Sequence, residues 1–178
     1  DHSLAAKMAV DYLVEQGPSD IACISGPRNR ASCNQRYQGY VQALKNAGIA
    51  LDPRLTVEGN YGRESGYLAA QKLYHTAPEM TALFSCSEEM MQGALQFFHE
   101  HHVEIPRQLS LISFDSIDLC ATMYPFVSSV HFPISDMAQV AVGLLMSQIN
   151  QQDACIQRHF EPELRLRNSV KKRELVSG

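Results

Sequence analysis

The sequence predicts an α/β fold in which a doubly wound parallel sheet carries helices on both faces. Short, continuous apolar runs alternate with segments whose apolar residues recur at helical spacing, and the alternation repeats along the chain. Continuous apolar runs are typical of strands buried on both faces, and short connections between strands and helices indicate a parallel sheet. The 178 residues are enough for one domain or for a piece of a larger one.

The first predicted elements are a helix, a strand and a second helix. Ser3 is expected to cap the first helix, which ends at Gly17 and Pro18. Residues 21–24 form the apolar run of the first strand. The second helix is predicted over residues 32–46, and Gly48 is its C-terminal stop.

The remaining elements follow the same alternation. Strands are predicted over residues 55–57, 81–85, 109–113 and 128–130, and helices over 64–74, from 87 onward, and over 135–149. Glu88 and Glu89 follow the cap residue Ser87, where carboxylates complement the positive end of the helix dipole. Because adjacent helical side chains diverge, we do not expect these two carboxylates to share one site.

Composition excludes two kinds of surface. The chain has 15 basic and 19 acidic residues and a formal net charge of −4, so we do not expect these residues to bind nucleic acid. No apolar run approaches the ~18–20 residues of a membrane span, so we expect no membrane insertion. The short basic run at residues 171–173 is expected to be a solvated terminus.

The cysteines and the N-terminus give two further expectations. The 5 cysteines, an odd number without a C-x-x-C pair, are typical of buried thiols in a reducing cytosol, not of disulfides or a zinc site. The chain begins at Asp1 without Met or a signal peptide, and we expect it to be a fragment of a longer protein.

Motifs for common catalytic chemistry are absent from the sequence. There is no phosphate-binding loop, dinucleotide fingerprint, nucleophile elbow or H-E-x-x-H motif. The histidines at 99, 101 and 102 are expected on the surface at a helix end, because their spacing spreads them around it. No nucleophile is paired with a base, so we expect neither an enzyme nor a bound cofactor or metal.

Polar residues after the strands are the candidate site. In a doubly wound sheet, ligands bind beyond the carboxyl ends of the strands. The segments at that end are residues 25–36, 60–64, 86–88 and 115–116.

Motifs in these segments resemble one known family. They are I-S-G-P at residues 24–27, R-Y-Q-G-Y at 36–40, N-A-G-I at 46–49, S-G-Y at 65–67, T-A-L-F at 81–84, L-S-L-I-S-F-D at 109–115 and L-R-L-R-N-S at 164–169. In order and spacing this set resembles the lactose/galactose repressor (LacI) family of bacterial transcription regulators. The resemblance implies a periplasmic-binding-protein-like effector domain, of which this chain is the second half.

The resemblance also implies a domain organisation and partners. Residues 1–131 would form the second subdomain, and residues 132–178 a crossover helix and a returning strand. A DNA-binding headpiece and the first subdomain would precede residue 1. A sugar-like effector would bind in the cleft between subdomains, and operator DNA would bind through the headpiece of a cytoplasmic homodimer.

Seven ligand-binding residues follow from the resemblance. Arg36 would grip vicinal hydroxyls with its planar fork, and Asp115 would accept hydrogen bonds from hydroxyls or a ring N–H. The other five would be Ser87, Tyr61, Phe84, Arg30 and Ser32. The family's N-D pair is replaced by Ser87 and Glu88, and the second aspartate of its F-D-D motif by Ser116.

Two alternatives remain open. A solute-binding protein of a sugar ABC transporter has the same fold, but it needs an export signal and rarely carries five unpaired cysteines. An enzyme on a similar sheet lacks a catalytic constellation here. The segment at residues 163–169 favours the regulator.

Overall fold

The structure, a computed structural model, describes residues 1–150 and 158–172. Its helices are α1 (His2–Glu15), α2 (Ala31–Asn46), α3 (Arg63–Thr76), α4 (Glu88–Glu100) and α5 (Ile134–Ile149). Its strands are β1 (Ile21–Ser25), β2 (Thr56–Glu58), β3 (Ala82–Ser85), β4 (Ser110–Asp115), β5 (Ser128–His131) and β6 (Glu163–Arg165). Single 3-10 turns cover Pro53–Leu55 and Leu119–Ala121.

The strands form one sheet in the order β2-β1-β3-β4-β5-β6. β1 to β5 are parallel, and β6 pairs antiparallel with β5. α1 packs against α2, and α3 packs against α4. Crossovers between parallel strands are right-handed, and the chain moves from β1 outward to β2 and then back to β3 and β4, so the two helix pairs belong on opposite faces. The predicted α/β fold is confirmed.

Glycines let the helices of each pair approach closely. A Cβ atom on Gly93 of α4 would lie 1.8 Å from the carbonyl oxygen of Arg63, at the start of α3. A Cβ atom on Gly39 of α2 would lie 2.3 Å from the carbonyl oxygen of Ser3 in α1. No side chain fits at either crossing, so the glycines fix the spacing of the helices over the sheet.

The core lies between the sheet and these four helices. All residues of β1, β3 and β4 are buried, as expected for strands covered on both faces. The cysteines at 23, 33, 86 and 120 are free and buried. The fifth, Cys155, and the last residue of the basic run, Arg173, lie outside the described residues.

Several predicted element ends differ from the structure by one or two residues, and two of these errors have a local physical reason. The cap of α1 is Asp1 and not Ser3, because the Asp1 carboxylate accepts hydrogen bonds from the backbone N–H groups of Ser3 and Leu4 at 2.9 and 3.0 Å. The second strand begins at Thr56, since the preceding residues Pro53–Leu55 form a 3-10 turn capped by Asp52.

α5 and the C-terminal segment differ in how they pack. None of the residues of α5 is buried. The segment 158–172, by contrast, returns to the sheet through β6 and buries Ser169. Within the described parts of the chain, no helix is long and apolar enough to cross a membrane.

Candidate functional site

Two adjoining cavities open at the carboxyl ends of the parallel strands. The larger, of about 400 Å³, lies beside the start of α1 and α5, and the smaller, of about 300 Å³, lies beside the loop after β2. Arg36, Glu88 and Ser116 line both of them. These three residues follow or precede different strands, so the fold brings together segments that are distant in sequence.

Arg36 is held in place on three sides. Its Nη1 donates to the carbonyl oxygen of Cys86 at 2.5 Å, and its Nε donates to Nδ1 of His2 at 3.3 Å. Its guanidinium carbon lies 3.8 Å from the centre of the Phe114 ring, a cation–π distance. The side chain is half-buried and faces both cavities. A planar cation fixed in this way is preorganised to donate to ligand oxygens.

His2 stands against Arg36 and the aromatic wall of the larger cavity. Its ring lies 5.3 Å from the ring of Phe132 and 6.0 Å from that of Phe114. Burial, and then the positive charge of Arg36, lower the pKa of His2. A neutral imidazole is what the geometry requires, because Nδ1 accepts the hydrogen bond from Arg36.

Asp115 ends β4 just below the cavities. Its Oδ1 accepts from the Leu119 N–H at 3.1 Å, and its Oδ2 accepts a long bond of 3.4 Å from the Ser129 hydroxyl. Burial, followed by the neighbouring carboxylates of Glu88 and Asp118, raises the pKa of Asp115. The residue is fully buried, so its carboxylate lies behind the surface that a ligand meets first.

Ser87 and Phe84 occupy the end of β3. The Ser87 hydroxyl accepts from the Met90 N–H at 3.2 Å and caps α4, and Ser87 lines the smaller cavity. Phe84 is fully buried, with its ring 6.4 Å from that of Phe114, in the layer below the cavities. Of the two, Ser87 is the one within reach of a cavity.

Tyr61 lines the smaller cavity from the loop after β2. Its backbone has a φ of 77°, in the left-handed region, and its hydroxyl lies 2.8 Å from the Cys33 thiol. Burial and the hydrogen bond with Cys33 raise the pKa of Tyr61. Ser32 is half-buried beside this pair, whereas Arg30 is exposed at the cap of α2.

The seven residues taken from the family resemblance leave out other lining residues, although Glu88 and Ser116 lie in the candidate segments 86–88 and 115–116. Glu88 was interpreted as a complement to the helix dipole, but it also accepts from the backbone N–H of Ser116 at 3.2 Å and from its hydroxyl at 2.5 Å. His2 and Phe132 carried no motif. Their side chains meet because α1 packs beside the ends of β4 and β5. A position directly after a buried strand is the signal that placed Ser116 in its candidate segment.

Comparisons with known proteins point to one family. Residues 10–170 match the periplasmic binding protein-like domain. The chain is 38% identical over 152 residues to the HTH-type transcriptional repressor CytR of Escherichia coli, covering 85% of this chain and 45% of CytR. It is 33% identical over 166 residues to the repressor PurR of Vibrio atlanticus, covering 92% of this chain and 49% of PurR.

A solved structure agrees in fold. A sugar-binding transcriptional regulator of the LacI family from Escherichia coli, complexed with phosphate, superposes with a TM-score of 0.89 and 30% identity, covering 97% of this chain and 62% of that one. The chain thus spans about half the length of the repressors that it matches. The chain belongs to the periplasmic binding protein-like family, and its relatives are LacI-family transcriptional regulators.

Proposed function

We propose that this chain is the effector-sensing part of a bacterial DNA-binding repressor, and that a sugar or a similar polyhydroxylated molecule binds at Arg36. The observation that carries the proposal is the position of Arg36, fixed by Cys86 and Phe114 at the junction of two cavities. The matched regulators include one described as sugar-binding. The regulator is better supported than a transporter's solute-binding protein, because the relatives are repressors.

The proposal extends to the parts of the protein beyond this chain. Residues 1–131 form the second subdomain of the effector domain, and residues 132–178 connect it to the first. Operator DNA binds through a headpiece that these residues do not include, and the regulator acts as a homodimer in the cytoplasm. The chain has a role in binding and not in catalysis, in keeping with relatives that are transcriptional repressors.

In this proposal, residues that line a cavity contact the ligand directly, and residues behind the lining contact it less directly or support the site. Arg36, Tyr61 and Ser87 meet the ligand first, because they line the smaller cavity. Asp115 is fully buried and lines neither cavity, so it accepts from the ligand only after Oδ2 exchanges its long bond to Ser129. Arg30, Ser32 and Phe84 support the site from the loop after β1 and from the layer beneath.

The experiment is operator binding by the full-length protein. A gel shift on the promoter of its own gene, with and without candidate sugars, is expected to give a sequence-specific complex that a ligand alters. In the same protein, Asp115→Ala is expected to cost about 1.5–3 kcal/mol of ligand binding by calorimetry, the value of a charged hydrogen bond. Glu64→Ala, which removes an exposed carboxylate of α3, is the control. Unchanged affinity in Asp115→Ala would contradict the role of Asp115, and an export segment upstream would contradict the regulator.

A further inference from the structure

Glu88 is a buried carboxylate that faces the site and that the proposed function does not use. It is the first residue of α4, only 9% exposed, and it lines both cavities. Removing a carboxylate from water is costly unless hydrogen bonds or an opposite charge compensate for it. The hydrogen bonds that the chain itself gives to Glu88 therefore show which bonds are left for a ligand to make.

The chain satisfies one of the two carboxylate oxygens. Oε1 accepts both hydrogen bonds from Ser116, at 3.2 Å from the backbone N–H and 2.5 Å from the hydroxyl. Oε2 accepts no hydrogen bond from residues 1–150 or 158–172, and within the same residues no cation lies within 4.0 Å of Glu88. Arg36 lines the same cavities but does not pair with Glu88. Among the described residues, Oε2 is therefore an acceptor without a donor, on a side chain that lines both cavities.

The hydroxyls around Glu88 already make hydrogen bonds within the chain. The Ser116 hydroxyl donates its proton to Glu88, whereas the Ser87 hydroxyl accepts from the N–H of Met90 and keeps its own proton for a ligand acceptor. Beside these hydroxyls, Glu88 offers a ligand a charged acceptor. Amino groups and other N–H groups complement such a surface, because an ammonium group donates and does not accept.

We propose that Glu88 determines effector specificity by binding an N–H donor, and that the effector is a polyhydroxylated molecule carrying an amino group. Ser116 is the positioning residue, because its two hydrogen bonds hold Oε1 and leave Oε2 available to a ligand. The inference rests on the proposed function, and it narrows the ligand from neutral sugars to amino-bearing ones. A neutral hydroxyl can also donate to this carboxylate, but an ammonium group adds the attraction of opposite charges in a partly buried site, so the amino group should dominate selectivity.

The test uses the full-length protein and matched pairs of probes. Glucosamine, galactosamine and mannosamine are titrated by calorimetry against glucose, galactose and mannose. At least one amino sugar is expected to bind about tenfold more tightly than its parent sugar. Glu88→Gln, which keeps the size of the side chain, is expected to abolish this preference, so that each amino sugar and its parent sugar bind with similar affinity. Glu64→Gln, on the exposed start of α3, is the control.

Ser116 is tested by rescue. Ser116→Ala is expected to weaken amino-sugar binding severalfold, and Ser116→Thr, which keeps a hydroxyl, is expected to restore it. A purely structural role would weaken parent and amino sugars alike. Equal binding of the two members of every pair would overturn the inference and leave the proposed function standing. If none of the six compounds binds, the failure extends to the proposed function as well.

Discussion

The hydroxyl of Ser169 joins two neighbouring strands of the sheet to the C-terminal segment. It donates to the carbonyl oxygen of Leu111 in β4 at 2.6 Å and accepts from the backbone N–H of Ser128 in β5 at 2.7 Å. Ser169 is fully buried, so neither backbone group has water as an alternative partner. One small side chain thus anchors the end of the chain to the middle of the fold.

We expect Ser169→Ala to lower the free energy of unfolding by about 1–3 kcal/mol. The substitution leaves a buried carbonyl and a buried N–H group without partners, and each carries a desolvation penalty. Urea unfolding of the 178-residue chain measures the change. Asn168→Ala, at an exposed neighbouring position, is the control and should change stability by less than about 0.5 kcal/mol. Equal stability of the two variants would contradict the anchoring role.

Gly93→Ala should destabilise the chain by about 1–3 kcal/mol. An added methyl group meets the Arg63 carbonyl at 1.8 Å, so α3 and α4 must move apart, and this outweighs the gain of ~1 kcal/mol in helix propensity. Thermal and urea unfolding report the loss. Gln92→Ala, on the same helix and half-buried, is the control. A stabilised Gly93→Ala variant would show that the crossing tolerates a side chain.

The buried Asp115 should make stability depend on pH in a direction opposite to that of a salt-bridged aspartate. Its pKa is raised in the folded state, so the ionised carboxylate destabilises the fold at neutral pH. That penalty disappears as the pH falls through the raised pKa toward the ordinary value of ~3.9. Relative to Asp115→Asn, the wild-type chain should therefore gain stability on acidification. Urea unfolding of both proteins at several pH values measures the difference in their free energies of unfolding. A difference that does not change with pH would contradict this prediction.

The apolar surface of α5 should drive self-association. Six of its residues are large, apolar and 38–71% exposed: Ile134, Met137, Val142, Leu145, Met146 and Ile149. A contiguous surface of this kind favours burial against a partner. We expect the chain to sediment as a dimer or a larger species, and Leu145→Glu to shift it toward the monomer. Gln139→Glu, which changes charge at an exposed polar position, should leave the distribution unchanged. A wild-type monomer would contradict this prediction.

The 178 residues alone should bind operator DNA no better than other acidic proteins do. Their net charge is −4, and phosphate contacts by basic residues provide most of the affinity of proteins for DNA. Fluorescence anisotropy with operator DNA should show no saturable binding by the chain, while the full-length protein binds. Salt-dependent, sequence-specific binding by the chain alone would require a basic surface that its composition does not indicate.

The strands and helices were predictable because their signals are local. β1, β3 and β4 are buried on both faces, so the sequence of each strand is a nearly continuous apolar run. The error at Asp1 arose because a carboxylate caps a helix as well as a hydroxyl does. Helix ends are thus less certain than helix positions.

The lining of the site was only partly predictable, because it depends on contacts between distant segments. Arg36 was indicated by the resemblance of residues 36–40 to a family motif, but its partners His2 and Phe114 come from α1 and β4. Glu88 and Glu89 look equivalent in sequence, yet Glu88 is buried and Glu89 is exposed. Adjacent helical positions differ by about 100°, and which of the two turns inward is set by where α4 meets the sheet.

The outermost strands, β2 and β6, are each three residues long. Unpaired strand edges invite other chains to add on by backbone hydrogen bonding, and a short edge limits that growth into aggregates. Another copy therefore gains little by extending this sheet. We therefore expect assembly to use side-chain surfaces such as α5, where a single substitution can adjust affinity without exposing the backbone of the sheet.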